Sequence, residues 1–172
     1  MAEDIEISTP ALPRAGTASA GGRRNPTAAE FYEILLANAG PKAVAFVEWA
    51  LEEGQKLDLR IEWKGTGPFL KYQDEDSGRW KTVTSFSKHG HLGGGKTGPP
   101  KELWHAYLDE IAAFIPGATR RVGDGPSAQK YGIQALYVDD VPGVPLSLLD
   151  DHRDEWLAAF KRLIAKLAET QE

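Results

Sequence analysis

The chain has no cysteine. That excludes disulfides, a thiolate zinc site and a cysteine nucleophile, and it leaves the redox compartment unmarked. No stretch approaches the about 20 consecutive apolar residues needed to cross a bilayer. The opening Met-Ala-Glu-Asp-Ile-Glu-Ile has neither the basic n-region nor the apolar h-region of a secretory leader. The expectation is a cytoplasmic protein with no membrane partner. Positive charge is not in excess either. A net charge of −5 and a pI near 5.4 argue against bulk electrostatic binding to nucleic acid, while leaving room for a local basic patch. An internal repeat and a βαβ alternation are also missing, which sets aside solenoids and doubly wound nucleotide folds.

What is present is enough for one folded unit. With 172 residues and 41% hydrophobic content, the chain can bury roughly two thirds of its unfolded surface in one core. Residues 1–25 are rich in Ala, Gly, Pro, Ser and Thr with few large apolar side chains, a composition that predicts a disordered N-terminal tail ahead of a single α+β domain over 26–170. Thr27 and Glu30 form a capping box in front of Phe31, Ile34 and Leu35 at helical spacing. Gly40-Pro41 then ends one helix and opens a second, which carries Val44, Val47, Ala50 and Leu51 on one stripe. The pair predicts an N-terminal helical hairpin.

Residues 57–86 form the centre of the pattern. Leu57, Leu59, Ile61 and Trp63 alternate with Asp58, Arg60, Glu62 and Lys64, the period-2 signature of a half-buried strand. A Gly-Thr-Gly-Pro turn, Phe69-Leu70-Lys71-Tyr72, an acidic turn and Trp80 to Phe86 continue it as an antiparallel β-meander. A further strand is expected over 133–138, a helix over 101–115, and a closing helix over 151–168 with Trp156 and Phe160 facing inward. Trp63, Trp156 and Phe160 fall on the apolar sides of their patterns and are expected in one core. Residues 118–132 read as polar turns. The fold class is α+β: a helical hairpin, a meander with one more strand, and two more helices packed on the sheet.

Three constellations could carry chemistry. Gly90-His91-Leu92-Gly93-Gly94-Gly95-Lys96-Thr97 matches the phosphate-loop spacing G-x-x-x-x-G-K-[ST], and the apolar run ending at Asp139 looks like its magnesium-binding strand. In this nucleotide-binding alternative the phosphate-binding residues are Gly90, Gly95, Lys96, Thr97 and Asp139. The pattern needs a helix starting at the lysine, yet Gly98-Pro99-Pro100 occupies those turns, and an interior proline costs about 3 kcal/mol. His89 and His91, with His105 and His152 elsewhere and Asp74, Glu75 and Asp76 as carboxylates, supply too few placed ligands for a closed metal site. Glu62 and Lys64 share a strand face and have the Glu-x-Lys spacing of a metal-dependent nuclease site, without the partner Asp from a preceding strand.

Taken together, "Leu-Arg-Ile-Glu-Trp" before a Gly-containing turn and meander, Ile115-Pro116-Gly117-Ala118 closing a helix, and Val144-Pro145-Leu146-Ser147-Leu148 ahead of the final helix resemble a bacterial α+β domain of uncharacterised activity. Domains of that kind are associated with restriction and genome-defence proteins, some fused to nuclease modules. The resemblance spans 31–167 and brings no catalytic motif, so it implies a setting and assigns no residue; the short Gly93-Gly94-Gly95 segment departs from the longer strand expected there.

The reading is a non-catalytic binding module without cofactor or metal, whose polar sheet face, with Arg60, Glu62, Lys64, Lys71 and Lys81, meets a protein partner or a nucleic-acid backbone. The alternatives are an enzyme built on Gly90 to Thr97, or one built on Glu62 and Lys64. The prolines after Lys96 decide the first alternative. Calorimetric titration with ATP or GTP and Mg²⁺ is expected to show no saturable binding below millimolar concentration, and Lys96→Ala is expected to leave the fold unchanged. Micromolar affinity lost in the variant would establish the phosphate loop.

Overall fold

The computed structural model describes residues 27–94 and 98–170; the tail expected over 1–25 lies outside them. The elements in chain order begin with α1 (Ala28–Ala39) and α2 (Pro41–Lys56). Four strands follow: β1 (Arg60–Lys64), β2 (Gly67–Gln73), β3 (Trp80–Phe86) and β4 (His91–Gly93). Next come α3 (Lys101–Phe114), β5 (Ala118–Val122), α4 (Pro126–Tyr131) and β6 (Gln134–Val138). The chain closes with β7 (Val141–Pro142), β8 (Val144–Pro145), α5 (Leu146–Asp150) and α6 (Arg153–Thr170). The class is α+β, with all strand pairing antiparallel. One sheet has five strands in the order β8-β4-β3-β2-β1, and the other has three in the order β5-β6-β7.

The helical hairpin forms as its punctuation requires. The Thr27 hydroxyl accepts from the Glu30 N–H (3.1 Å) while the Glu30 carboxylate accepts from the Thr27 N–H (2.9 Å), satisfying two helix-end donors. Gly40 turns the corner at φ 87°, where a side chain is strained, and Pro41 opens α2. The glycine at 54 predicts a helix stop there, yet α2 runs through it to Lys56. Gly54 is there for contact: a Cβ would lie 2.8 Å from the Leu70 side chain, so the missing methyl lets α2 close onto β2. Phe31 of α1 also reaches the sheet, edge-on to Trp63 of β1 at 5.4 Å.

Residues 118–132 hold more structure than their polarity suggests. They contain β5 and α4, and β5 pairs in full register with β6 from Ala118↔Val138 to Val122↔Gln134. Three exposed residues run along β5, so neither of its faces is buried deeply enough to impose an alternation. The two prolines in residues 139–145 predict a turn there. Here β7 pairs with β6 and β8 pairs with β4, so this short segment joins the two sheets, its prolines sitting on edge strands that need no donor. Leu146–Asp150 forms a helix of its own before α6.

The core lies between the five-stranded sheet and the helices. Trp156 of α6 is fully buried, 5.2 Å from Phe46 of α2 and stacked on Phe160 at 4.8 Å. Trp63, half-buried, packs on the same core through Phe31 and Tyr32 at its other end. A polar chain runs through the apolar centre. The Trp156 indole N–H donates to the Tyr107 hydroxyl of α3 (2.8 Å), which is within hydrogen-bonding reach of the Thr84 hydroxyl on β3; Thr84 in turn donates to the Gly93 carbonyl (2.9 Å). Burial raises the Tyr107 hydroxyl above its ordinary range, so it stays protonated and able to donate. Trp104 packs 5.2 Å from Tyr107, and its indole N–H meets no acceptor among the described residues.

Tyr107→Phe removes the shared hydroxyl and leaves the Trp156 donor buried without a partner. Urea unfolding is expected to show a loss of about 1–3 kcal/mol with an unchanged m-value. A change within error of zero would mean the hydroxyl chain contributes nothing to stability.

Candidate functional site

The helices cover one face of the five-stranded sheet and the site residues lie on the other. Across β1 and β2 the register places Arg60 opposite Lys71, Glu62 opposite Phe69 and Lys64 opposite Gly67, and directly opposed residues share a face. Arg60, Glu62, Lys64 and Lys71 are thereby brought together, while Ile61, Trp63 and Leu70 point to the core.

Lys81 is not with them. In β3, Leu70 pairs with Thr84 but Lys71 pairs with Thr82, so Val83 is an extra residue and both Val83 and Thr84 are fully buried. Such a bulge inverts the alternation beyond it. Lys81 therefore falls opposite Tyr72 on the inner side, 3.3 Å from Asp74, and lines a cleft of about 340 Å³ with Tyr72, Asp76, Gly98 and Thr170. Trp80 takes the outer position, opposite Gln73, with 37% of its surface exposed. Sequence reasoning missed Trp80 and Phe69 because an aromatic in an alternating pattern reads as core. The slip shows only in the structure, where the neighbours Val83 and Thr84 are both fully buried.

The outer face thus interleaves cations with rings. The Arg60 guanidinium stands 5.5 Å from the Trp80 ring centroid and the Lys64 Nζ 4.8 Å from that of Phe69, both in cation–π range. Lys71 is paired with the Glu62 carboxylate; the lysine side chain is only 13% exposed and the glutamate 43%. The hydrogen bond from Lys71 holds the Glu62 carboxyl below its ordinary range, and Lys71, Lys64 and Arg60 all add charge attraction in the same direction.

A Glu62–Lys64 nuclease site would place carboxylates beside Glu62; the charges that act on it here are three cations. Among the described residues no group of three or more His, Asp or Glu is arranged to hold a metal. His89 and His91 lie at the other end of the sheet from Asp74. Burial and the neighbouring His89 keep His91 below its usual titration range. His152 is occupied with Glu155 at 3.3 Å.

The phosphate-loop spacing also meets a different geometry. Gly90 has φ 97° in a turn, its N–H donating to the Ser87 carbonyl (2.9 Å) and its carbonyl accepting from the Leu146 N–H (2.8 Å). Residues 95–97, which include Gly95, Lys96 and Thr97, lie outside the described residues. Helix α3 begins at Lys101 with Pro100 as its cap. Asp139 and Asp140 are the two central residues of the β6–β7 turn, at φ 51° and 68°, the left-handed pair that a two-residue hairpin requires. That role accounts for an aspartate at 139 without a metal. Gly94 of the spacing, and Gly98 just after it, have a structural use: Cβ atoms there would lie 2.8 Å from the Thr84 Cα and 1.6 Å from the Thr82 carbonyl oxygen, so both positions sit tight against β3.

Glu62 gives a direct check on this electrostatic arrangement. Its lowered folded-state pKa means that its contribution to stability is present above the ordinary glutamate range and is lost as pH falls through the folded value. An NMR titration of the Glu62 carboxyl carbon is expected to give a midpoint below that of glutamate in a peptide, returning toward it in Lys71→Ala. An ordinary midpoint in the unmodified protein would mean the pair does not persist in solution.

No protein-family model, curated protein or solved structure matches this chain, so its function has to be read from the face itself.

Proposed function

We propose that this protein is a non-catalytic binding module that engages its partner through the outer face of β1, β2 and β3. The observation that carries this reading is the unequal treatment of the two faces of one sheet. The inner face is closed by α2, α3 and α6, whereas the outer face carries Arg60 and Trp80 exposed, with Lys64, Phe69 and the paired Lys71 half-buried beside them. Aromatic and arginine side chains on an open surface are the composition of recognition patches, because they bury large area with few rotamers to freeze. Among the described residues of this face the one carboxylate, Glu62, is set among cations and meets no second carboxylate, which supports binding over turnover. The resemblance to bacterial restriction and genome-defence domains supports a setting in a defence or nucleic-acid-related system.

A photo-crosslinking residue at Thr82, in the centre of the outer face, and another at Lys161, on the exposed side of α6, separate this face from the rest of the surface. In extract of the source organism, a discrete adduct is expected at position 82 and not at 161, and it is expected to fade when Arg60 and Lys64 are both changed to alanine. Hydrolysis of a nucleic acid or nucleotide by the purified protein, abolished by Glu62→Gln, would overturn the binding reading in favour of an enzyme.

A further inference from the structure

The outer face differs in charge from the chain that carries it. The protein has a net charge of −5, yet on this face Arg60, Lys64 and Lys71 stand against one carboxylate, Glu62. The Glu62–Lys71 pair is self-compensated, so the free charge resides on Arg60 and Lys64, the two cations that also lie over the rings. By strand geometry the Phe69 and Trp80 backbones are roughly 14 Å apart along the diagonal of the face, four residues along β2 and one strand across. The free cations sit beside the two rings at either end of that diagonal.

We infer that this face binds single-stranded nucleic acid, with bases stacked on Trp80 and Phe69 and the intervening phosphates held by Arg60 and Lys64. The inference rests on the binding-module reading and names its partner class. Each ring is at present covered by a flexible cation. When a base takes that place, the cation is released to a phosphate on the same strand, so ring and charge are both satisfied by one ligand; base stacking on an aromatic exceeds an exposed cation–π contact.

Other anionic partners use this surface less well. An acidic peptide would engage the cations but leave two flat rings without planar partners, and the cleft at Lys81 opens on the opposite side of the sheet. Duplex bases are stacked within the helix and cannot reach the rings.

Fluorescence anisotropy with labelled 12-residue oligouridine and oligothymidine, run beside a duplex of the same length and a poly-glutamate competitor, tests the inference. Single strands are expected to bind at low salt and duplex more weakly. For two neutralised phosphates, log K against log salt should have a slope of about −1.4. Glu62→Gln frees Lys71, and is expected to tighten binding and steepen the slope to about −2.1. Trp80→Ala should weaken binding about fivefold or more, the range for losing one stacked base, while Lys161→Ala leaves it unchanged. The Glu62→Gln slope serves as the readout if Trp80→Ala does not fold.

Equal affinity for duplex, an unaltered slope in Glu62→Gln, or displacement by poly-glutamate as effective as by oligonucleotide would overturn it. No oligonucleotide binding together with a protein adduct at position 82 would refute the nucleic-acid partner and leave the binding module standing. No binding and no adduct would refute both.

Discussion

The structure turns on the buried contact among Thr84, Tyr107 and Trp156. Three elements distant in sequence, β3, α3 and α6, each contribute one polar atom to a chain of hydrogen bonds in an otherwise apolar centre. A dry interior makes such bonds strong when complete and costly when broken, so the chain selects one relative placement of sheet and helices where hydrophobic packing alone would accept several. The rings of Phe46, Phe86 and Phe160 close around Trp156 and keep water from competing.

That contact bears on the surface through the phase of β3. Thr84 and Phe86 must face inward from one end of the strand, and Val83 is apolar and buried beside them. Tyr72, buried at the other end of β2, pairs with Lys81 and so brings position 81 to the inner side. A single unbroken alternation cannot satisfy both ends, and the bulge at Val83 reconciles them. Its consequence on the outside is that a lysine leaves the polar face and a tryptophan joins it. The composition of the candidate binding face is thus set by a packing requirement in the core.

Charge on that face follows a similar economy. Glu62 neutralises Lys71 and is itself held ionised by its neighbours, so the cationic density presented to solvent is smaller than the count of lysines and arginines suggests. One carboxylate amid three cations lowers the repulsion among them.

Local patterns alone determined much of this protein. The capping box at Thr27, the Gly40-Pro41 corner and the helical stripes of α3 and α6 each depend on neighbours a few residues away and appear where their patterns lie, while of the alternation read from Leu57 the part from Arg60 to Lys64 is strand and Leu57 and Asp58 form the turn before it. The α+β class follows from their order. Tertiary structure decided the rest because the deciding partner was remote. β5 carries three exposed residues along its length and becomes a strand by pairing with β6; residues 141–145 become a bridge by pairing with two sheets at once; Asp139 occupies a hairpin turn that exists only because β6 and β7 meet. Gly93 and Gly94 of the phosphate-loop spacing lie close against β3, a contact no local spacing encodes. The side on which Lys81 and Trp80 project was settled by a one-residue slip, since period-2 alternation carries no record of where a bulge will fall until both ends of the strand are anchored in the core.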